Sequence, residues 1–132
     1  LWHSLEHIPN LEETLSDLKR ILKPGGVIFV AVPNFKSYDA KYYKTYWAAW
    51  DVPRHLWHFS RSGLKTIFSK HDLSCIKEKA MPFDSYYVSL LSETYKPKRI
   101  KPRAFFIGWL SNQKAKANKE YSSITYVLKH SN

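Results

Sequence analysis

A helix stop, a tight turn and an apolar run follow one another at residues 22–34, Leu22-Lys23-Pro24-Gly25-Gly26-Val27-Ile28-Phe29-Val30-Ala31-Val32-Pro33-Asn34. A short apolar run bounded by turn residues is typical of a parallel strand that is buried on both faces. Because parallel strands are joined by helical crossovers, the run predicts an α/β fold. Sheets of this class bind their ligands at the carboxyl ends of the strands.

Helical and strand patterns alternate along the rest of the chain. Asn10 and Glu13 have the spacing of a capping box, and Ser60 is a candidate cap for a later helix. The expected order is a helix at 10–22, a strand at 27–32, an aromatic-rich helix at 38–50, an ordered loop at 51–59, a helix at 61–71, a strand within 73–81, helix or irregular structure at 83–95, a basic loop at 96–103, a helix at 104–117 and a strand at 122–129.

Length and composition limit the class of protein. With 132 residues, of which 44% are hydrophobic and 24% charged, the chain predicts one globular domain at most. A net charge of +10 favours anionic partners. Cys75 is the single cysteine, which excludes an internal disulfide and favours a reducing compartment, so we expect a cytoplasmic protein. No apolar run reaches the roughly 20 residues of a membrane-spanning helix. Because the sequence begins with Leu1, we expect a piece of a longer protein.

Four segments carry a resemblance to a known family: Ser4–Asn10, Leu18–Gly26, the end of the apolar strand at Val32–Asn34, and Pro53–Ser60. Together they resemble the C-terminal half of a class I S-adenosylmethionine-dependent methyltransferase, above all the ubiquinone-biosynthesis-type subgroup (methyltransferase type 11 or 12). The resemblance covers about residues 1–80 and the final strand. It implies a Rossmann-like sheet of seven strands in the order 3-2-1-4-5-7-6, to which this chain contributes strands 5, 6 and 7 with their flanking helices.

The resemblance also implies what the chain lacks. The family's glycine-rich turn after strand 1 and its ribose-binding acid after strand 2 have no counterpart here, so we expect no complete S-adenosylmethionine site in this chain alone. Without the strands on that side, the apolar strand at 27–32 would have an open edge. Because an open apolar edge favours pairing with another chain, we expect self-association through this strand.

Two segments are expected to form the site, as the resemblance implies. The segment that leaves strand 4 borders the cofactor in this family, and it corresponds here to Trp2, His3, Ser4, Leu5 and Glu6. The residues expected to bind the acceptor substrate are Trp50, Arg54, His55 and Trp57. His7 and His55 are candidate catalytic bases, since an imidazole can accept the proton of a nucleophile near neutral pH.

Structural roles for the same residues remain open. Glu6 and His7 could organise the start of the first helix. The tryptophans could be packing residues, because aromatic side chains dominate protein cores. Arg54 could be a solvated or helix-capping charge, or it could pair with an acidic group on the substrate.

Two further signals concern other ligands. Two histidine pairs have spacings that permit metal ligation, namely His3 with His7 and His55 with His58. No cysteine cluster accompanies them, so we assign no metal. The basic stretch Lys96–Arg103 could contact phosphates. Since no nucleic-acid recognition module accompanies it, we expect a solvated loop and no nucleic-acid partner.

The sequence as a whole predicts methyl transfer from S-adenosylmethionine to a small-molecule, glycan or lipid-precursor acceptor, and the charge favours an anionic one. Two other functions remain possible from the residues. A non-catalytic interaction half-domain would use the open strand edge for assembly. A basic nucleic-acid-binding module would bind with an affinity that falls steeply with salt.

Overall fold

A three-stranded sheet organises the fold in the computed structural model, which describes residues 1–131. The strands are β1 (Ile28–Pro33), β2 (Leu73–Ala80) and β3 (Ser123–His130). Their order is β1-β3-β2, and β3 is antiparallel to both neighbours. This order is the 5-7-6 order expected from the sequence, so the predicted α/β class and this part of the sheet are confirmed.

The apolar run forms β1, but its pairing differs from the expectation. Within the three-stranded sheet β1 is antiparallel to β3, and its parallel contact lies on the outer edge, where Trp2 bridges to Ala31. There Ala31 N donates to the Leu1 carbonyl, and His3 N donates to the Ala31 carbonyl, each at 2.9 Å. Residues 1–3 therefore cover part of the edge that was expected to be open. The prediction that this strand is buried on both faces is also wrong at Phe29, whose side chain is 44% exposed.

Helices and 3₁₀ turns connect the strands. The helices are α1 (Leu11–Ile21), α2 (Tyr38–Tyr43), α3 (Arg61–Lys70), α4 (Pro82–Tyr95) and α5 (Lys101–Asn118), and the 3₁₀ turns are Leu5–His7, Lys44–Tyr46 and Ala48–Trp50. Ser60 caps α3 as predicted, because its Oγ accepts a hydrogen bond from Gly63 N at 3.2 Å. No helix within residues 1–131 is long and apolar enough to cross a membrane.

The aromatic-rich segment 38–50 is not the single helix that its periodicity predicts. The helix α2 ends at Tyr43, and Lys44 then adopts a positive φ of 53°. Two 3₁₀ turns complete the segment. Tyr43 and Trp47 are nevertheless both buried. Packing of these two large side chains thus overrides the local helical preference.

Two predicted helix starts also differ. The Asn10 side chain accepts no backbone hydrogen bond at the start of α1, and its Nδ2 donates to Glu13 Oε2 at 3.2 Å, so the capping box is not formed. The helix α5 starts earlier than predicted, at Lys101, because Pro102 suits the first turn of a helix. The basic stretch is therefore a loop only as far as Ile100.

Two apolar clusters form the core. One packs the sheet against α1 and α3 and includes Leu15, Phe68 and Leu128. The other joins α2, α4 and α5 and includes Val88 and Ile107. The antiparallel register pairs the last residues of β1 and of β2 with the first residues of β3. These three strand termini therefore lie at the same end of the sheet.

Candidate active site

A cavity of about 340 Å³ lies at this end of the sheet, beside the three strand termini. Pro33 lines it from the end of β1, and Ser123 lines it from the start of β3. The polar and aromatic residues around it are Trp2, His3 and Glu6 from the segment before α1, Asp51, Arg54 and His55 from the loop after α2, and Asp84, Tyr87 and Tyr95 from α4. The cavity thus lies where an α/β sheet is expected to bind its ligand.

The segment before α1 reaches the cavity because it runs beside β1 and then turns sharply. His3 has a positive φ of 46°, and the 3₁₀ turn Leu5–His7 follows directly. Leu5 is fully buried in the cluster beneath the sheet. This anchor directs Glu6 inward, and the Glu6 side chain is only 1% exposed.

His3 lies between two carboxylates. Its Nε2 is 3.1 Å from Asp84 Oδ2, and its Nδ1 is 3.5 Å from Glu6 Oε1. The hydrogen bond to Asp84, followed by the contact with Glu6, raises the pKa of His3 to about 9. The cavity therefore contains an imidazolium at neutral pH.

The loop after α2 places two more imidazoles beside Glu6. The Glu6 carbonyl accepts hydrogen bonds from Leu56 N at 2.8 Å and Trp57 N at 3.2 Å, and these bonds fix the loop against the 3₁₀ turn. His55 Nε2 lies 3.9 Å from Glu6 Oε1. The rings of His7 and His55 meet edge to face, with centroids 4.7 Å apart.

Backbone contacts define which nitrogen of each imidazole is free. His7 Nδ1 lies 2.9 Å from the Arg54 carbonyl, and His55 Nδ1 lies 2.9 Å from the Ala49 carbonyl. A carbonyl can only accept, so each Nδ1 carries the proton of a neutral ring. Each Nε2 then has its lone pair available for a proton or a metal ion.

Metal-ligating groups meet at this point in a way that the sequence spacing did not indicate. Glu6, His7 and His55 each offer one ligand atom, and these atoms lie within 4.8 Å of one another. The residues come from two segments separated by α1, β1, α2 and two 3₁₀ turns. Histidine spacing alone suggested the pairs His3 with His7 and His55 with His58, whereas the fold unites one member of each pair with a carboxylate.

Half of the residues predicted for the site line the cavity, namely Trp2, His3, Glu6, Arg54 and His55. The exposed Arg54 guanidinium is paired with Asp51 at 2.7 Å. The contacts of the other four cavity residues are compatible with the roles assigned to them. Those roles remain predictions.

The other predicted residues have different surroundings. Leu5 is a core residue, and Ser4 immediately precedes the 3₁₀ turn. The indole N–H groups of Trp50 and Trp57 donate to backbone carbonyls at 2.7 and 2.8 Å. His7 is exposed to solvent, packs edge to face with His55 and does not line the cavity. These contacts favour structural roles for the two tryptophans.

Sequence reasoning missed the contribution of α4. Asp84, Tyr87 and Tyr95 all face the cavity, and Asp51 lies at its rim beside His55. The spacing of Asp84, Tyr87, Val88 and Leu91 is that of one helical face. This periodicity could have shown that α4 has a common face, but the surface that it covers depends on the tertiary packing.

Part of the basic stretch has a structural role. Arg103 donates from two nitrogens to Glu93, each at 2.7 Å, and Glu93 is 2% exposed. The Lys96 ammonium lies over the rings of Tyr42 and Tyr43, 5.4 and 5.6 Å from their centroids. Cation–π contacts of this kind hold a lysine against the protein surface. The absence of a nucleic-acid partner remains a prediction.

Comparison with known proteins gives the family. A family model described as a methyltransferase domain matches residues 1–78. No curated protein sequence gives a significant match.

Two solved structures share the fold. The 4+2 cyclase SpnF superposes with a TM-score of 0.53 and 12% identity over 98% of this chain and 48% of its own. The cyclopropane synthase MmaA2 from Mycobacterium tuberculosis superposes with a TM-score of 0.53 and 11% identity over 96% of this chain and 53% of its own. The chain thus spans about half the length of the solved structures that it matches.

Proposed function

This chain belongs to the methyltransferase domain family, and we propose that it forms the acceptor-binding side of an S-adenosylmethionine-dependent methyltransferase. The observation that supports this proposal best is the cavity at the end of the sheet where β1 stops. Trp2 and His3, from the segment before α1, border this cavity. Its volume of about 340 Å³ lies at the lower end of the range for small-molecule sites. The proposed acceptor is a small molecule, or the small terminal group of a glycan or lipid precursor.

His55 is the proposed base for the acceptor nucleophile. It lines the cavity, and its Nδ1 donates to the Ala49 carbonyl, which leaves Nε2 free to accept a proton. Asp51 Oδ2 and Glu6 Oε1 lie 3.8 and 3.9 Å from Nε2 and would stabilise the imidazolium that forms. His7 is a weaker candidate because it lies outside the cavity lining.

The charges around the cavity favour a neutral nucleophile over a fully ionised acceptor. The two cations, His3 and Arg54, are already paired with Asp84 and Asp51. An anionic acceptor would have to compete with these carboxylates. A hydroxyl or amine group would instead find carboxylate oxygens and a free imidazole nitrogen in position to accept its proton.

The described residues do not fit the whole cofactor. The chain has four glycines. Gly25 and Gly26 precede β1, and the other two lie within α3 and α5, so none forms a glycine-rich turn after a strand. We therefore propose that the chain is the C-terminal part of the domain and that residues outside it hold most of S-adenosylmethionine, the methyl donor. Trp2 and His3 would border that cofactor.

Calorimetry and methyl transfer test this proposal together. S-adenosylhomocysteine is titrated into the 132-residue chain and into the longest natural polypeptide that contains it. We expect stoichiometric binding only to the longer polypeptide. With tritiated S-adenosylmethionine and a set of small hydroxyl and amine acceptors, the longer polypeptide should transfer label, and its His55→Gln variant should lose most of that activity.

The matched control is His71→Gln, which changes a largely buried histidine that does not line the cavity and should leave transfer unchanged. Absence of both binding and transfer in the longer polypeptide would contradict the proposal and favour a non-catalytic interaction domain. Stoichiometric binding to the 132-residue chain would show that the chain rebuilds a cofactor site by itself, and would overturn our division of the site.

A further inference from the structure

The Glu6 carboxylate has an unusual environment. The side chain is 1% exposed, and within residues 1–131 neither carboxylate oxygen has a hydrogen-bond partner. Burying an ionised carboxylate is costly unless hydrogen bonds or a cation compensate for the lost water. Glu6 is among the residues that line the cavity, and both of its carboxylate oxygens are buried, with His3 Nδ1 at 3.5 Å and His55 Nε2 at 3.9 Å from Oε1.

Two imidazoles lie close to the same carboxylate, since one ligand atom from each of Glu6, His7 and His55 lies within 4.8 Å of the others. His7 and His55 each use Nδ1 on a backbone carbonyl, at 2.9 Å. In metalloproteins the ligating histidine commonly donates its other ring N–H to a carbonyl or carboxylate, which fixes the tautomer and orients the ring. Both histidines already have this outer hydrogen bond.

We propose that Glu6, His7 and His55 bind a divalent transition-metal ion, for which Zn²⁺ is the best match. Two imidazoles and one carboxylate form the protein ligand set of catalytic zinc sites, which keep one further position open. Ligands at about 2.0–2.2 Å from a shared ion lie up to roughly 4 Å apart. The observed separations, within 4.8 Å, require only small rotations, and His7 is exposed and free to make one.

The neighbouring histidine provides a different explanation for Glu6, which the experiment must exclude. His3 Nδ1 lies 3.5 Å from Glu6 Oε1 and could balance its charge. It makes no hydrogen bond with that oxygen, and its closer contact is the 3.1 Å approach of Nε2 to Asp84. Charge balance by His3 leaves the lone pairs of His7, His55 and Glu6 without a shared role, whereas a metal ion uses all three.

A metal ion at this position would serve the acceptor. Glu6 and His55 both line the cavity, so an open coordination position would face it and accept an oxygen atom of a ligand. A bound ion lowers the pKa of a coordinated hydroxyl group. An ion bound through His55 would occupy the nitrogen that is the proposed base in its absence, so zinc binding and the base role of His55 exclude each other. The metal proposal is tested separately from methyl transfer, because metal binding is measured without cofactor or acceptor.

The test is a zinc titration of the chelator-treated chain. Calorimetry measures the stoichiometry and affinity, and X-ray absorption at the zinc edge measures the ligand distances. We expect one ion per chain, with nitrogen and oxygen ligands at about 2.0–2.2 Å. Glu6→Gln and His55→Gln should each weaken binding by more than about 100-fold, beyond the 10–100-fold typical of changes outside the ligand set. Mg²⁺ should not compete, since imidazole ligands favour transition metals.

The control variant is His71→Gln. His71 Nε2 lies 2.6 Å from the exposed Glu12 carboxylate, so it forms a histidine–carboxylate pair outside the cavity that could attract zinc without a built site. Equal affinity in wild type, Glu6→Gln and His55→Gln would overturn the proposal, as would a loss confined to His71→Gln. If a buried substitution prevents folding, as judged by circular dichroism, the exposed His7→Gln variant replaces it, and unchanged affinity there would also overturn the proposal.

Discussion

The imidazole of His3 forms an ion pair with Asp84, with Nε2 lying 3.1 Å from Oδ2, and this pair joins the segment before α1 to the first turn of α4. The segment before α1 packs into the apolar cluster on the sheet through Leu5, and α4 packs into the other cluster through Val88. The ion pair therefore connects two walls of the cavity that have separate cores. It also fixes a positive charge in the cavity, because the carboxylate favours the protonated ring. The geometry of the proposed acceptor site depends on this pair.

Replacing Asp84 with Asn should lower the pKa of His3 from about 9 toward the usual value of about 6.5, because the hydrogen bond to Asp84 is the largest cause of the elevation. Glu6 would preserve part of the shift. An NMR titration of the His3 ring signals in chelator-treated protein measures the change. Asp17→Asn, which removes a surface partner of Arg20, serves as the control. An unchanged titration in Asp84→Asn would show that the two side chains are not in contact.

The ion pair of Glu93 and Arg103 should govern acid stability. The pair lowers the pKa of Glu93, and Glu93 is buried. A lowered pKa in the folded state contributes stability above the unfolded value of about 4.3, and that stability is lost as pH falls through the folded value. Glu93→Gln should reduce the free energy of unfolding at pH 7 by roughly 1–3 kcal/mol.

Urea unfolding at a series of pH values measures this effect. The variant should lose less stability than wild type between about pH 5 and pH 3, since it has no Glu93 carboxylate to protonate. Glu13→Gln, an exposed position in α1, should retain the wild-type pH dependence. Parallel pH curves for wild type and Glu93→Gln would contradict the assignment.

Local patterns predicted most of the fold because most elements follow local rules. The apolar run of β1, the Ser60 cap of α3 and the β-branched composition of β3 each specify an element without reference to the rest of the chain. The failures occur where distant residues decide the outcome. Segment 38–50 breaks after Tyr43 because Tyr43 and Trp47 are both buried against other helices, which local periodicity does not encode.

The candidate site was predicted only in part for the same reason. Trp2, His3 and Glu6 are adjacent in sequence and were identified together, through the resemblance. Asp84 lies on another helix, and nothing in its local sequence indicates that it meets His3. The expected cytoplasmic location and the roles of the individual site residues stay predictions.

Asp39 should be among the positions most sensitive to substitution. It is fully buried and accepts hydrogen bonds from Trp47 Nε1 at 2.8 Å, Ser111 Oγ at 2.7 Å and Ser122 Oγ at 2.8 Å. Asp39→Ala leaves three buried donors without an acceptor and should cost roughly 3–5 kcal/mol of unfolding free energy. Thermal and urea unfolding measure the loss. Asp17→Ala, at an exposed position, should stay within about 0.5 kcal/mol of wild type. A similarly small effect at Asp39 would contradict the network.

The edge beside β1 should promote association between copies of this chain. Residues 1–3 cover the middle of β1, but they form a short edge themselves, and Val27 and Phe29 are 45% and 44% exposed beside it. Exposed apolar strand edges favour pairing, and a lysine on such a strand opposes it. Sedimentation velocity should therefore show concentration-dependent association of the wild-type chain and its reduction in Phe29→Lys. Phe106→Lys is the matched control, since Phe106 is 58% exposed on α5. A monomer at every concentration, or an equal reduction in both variants, would exclude this edge as the interface.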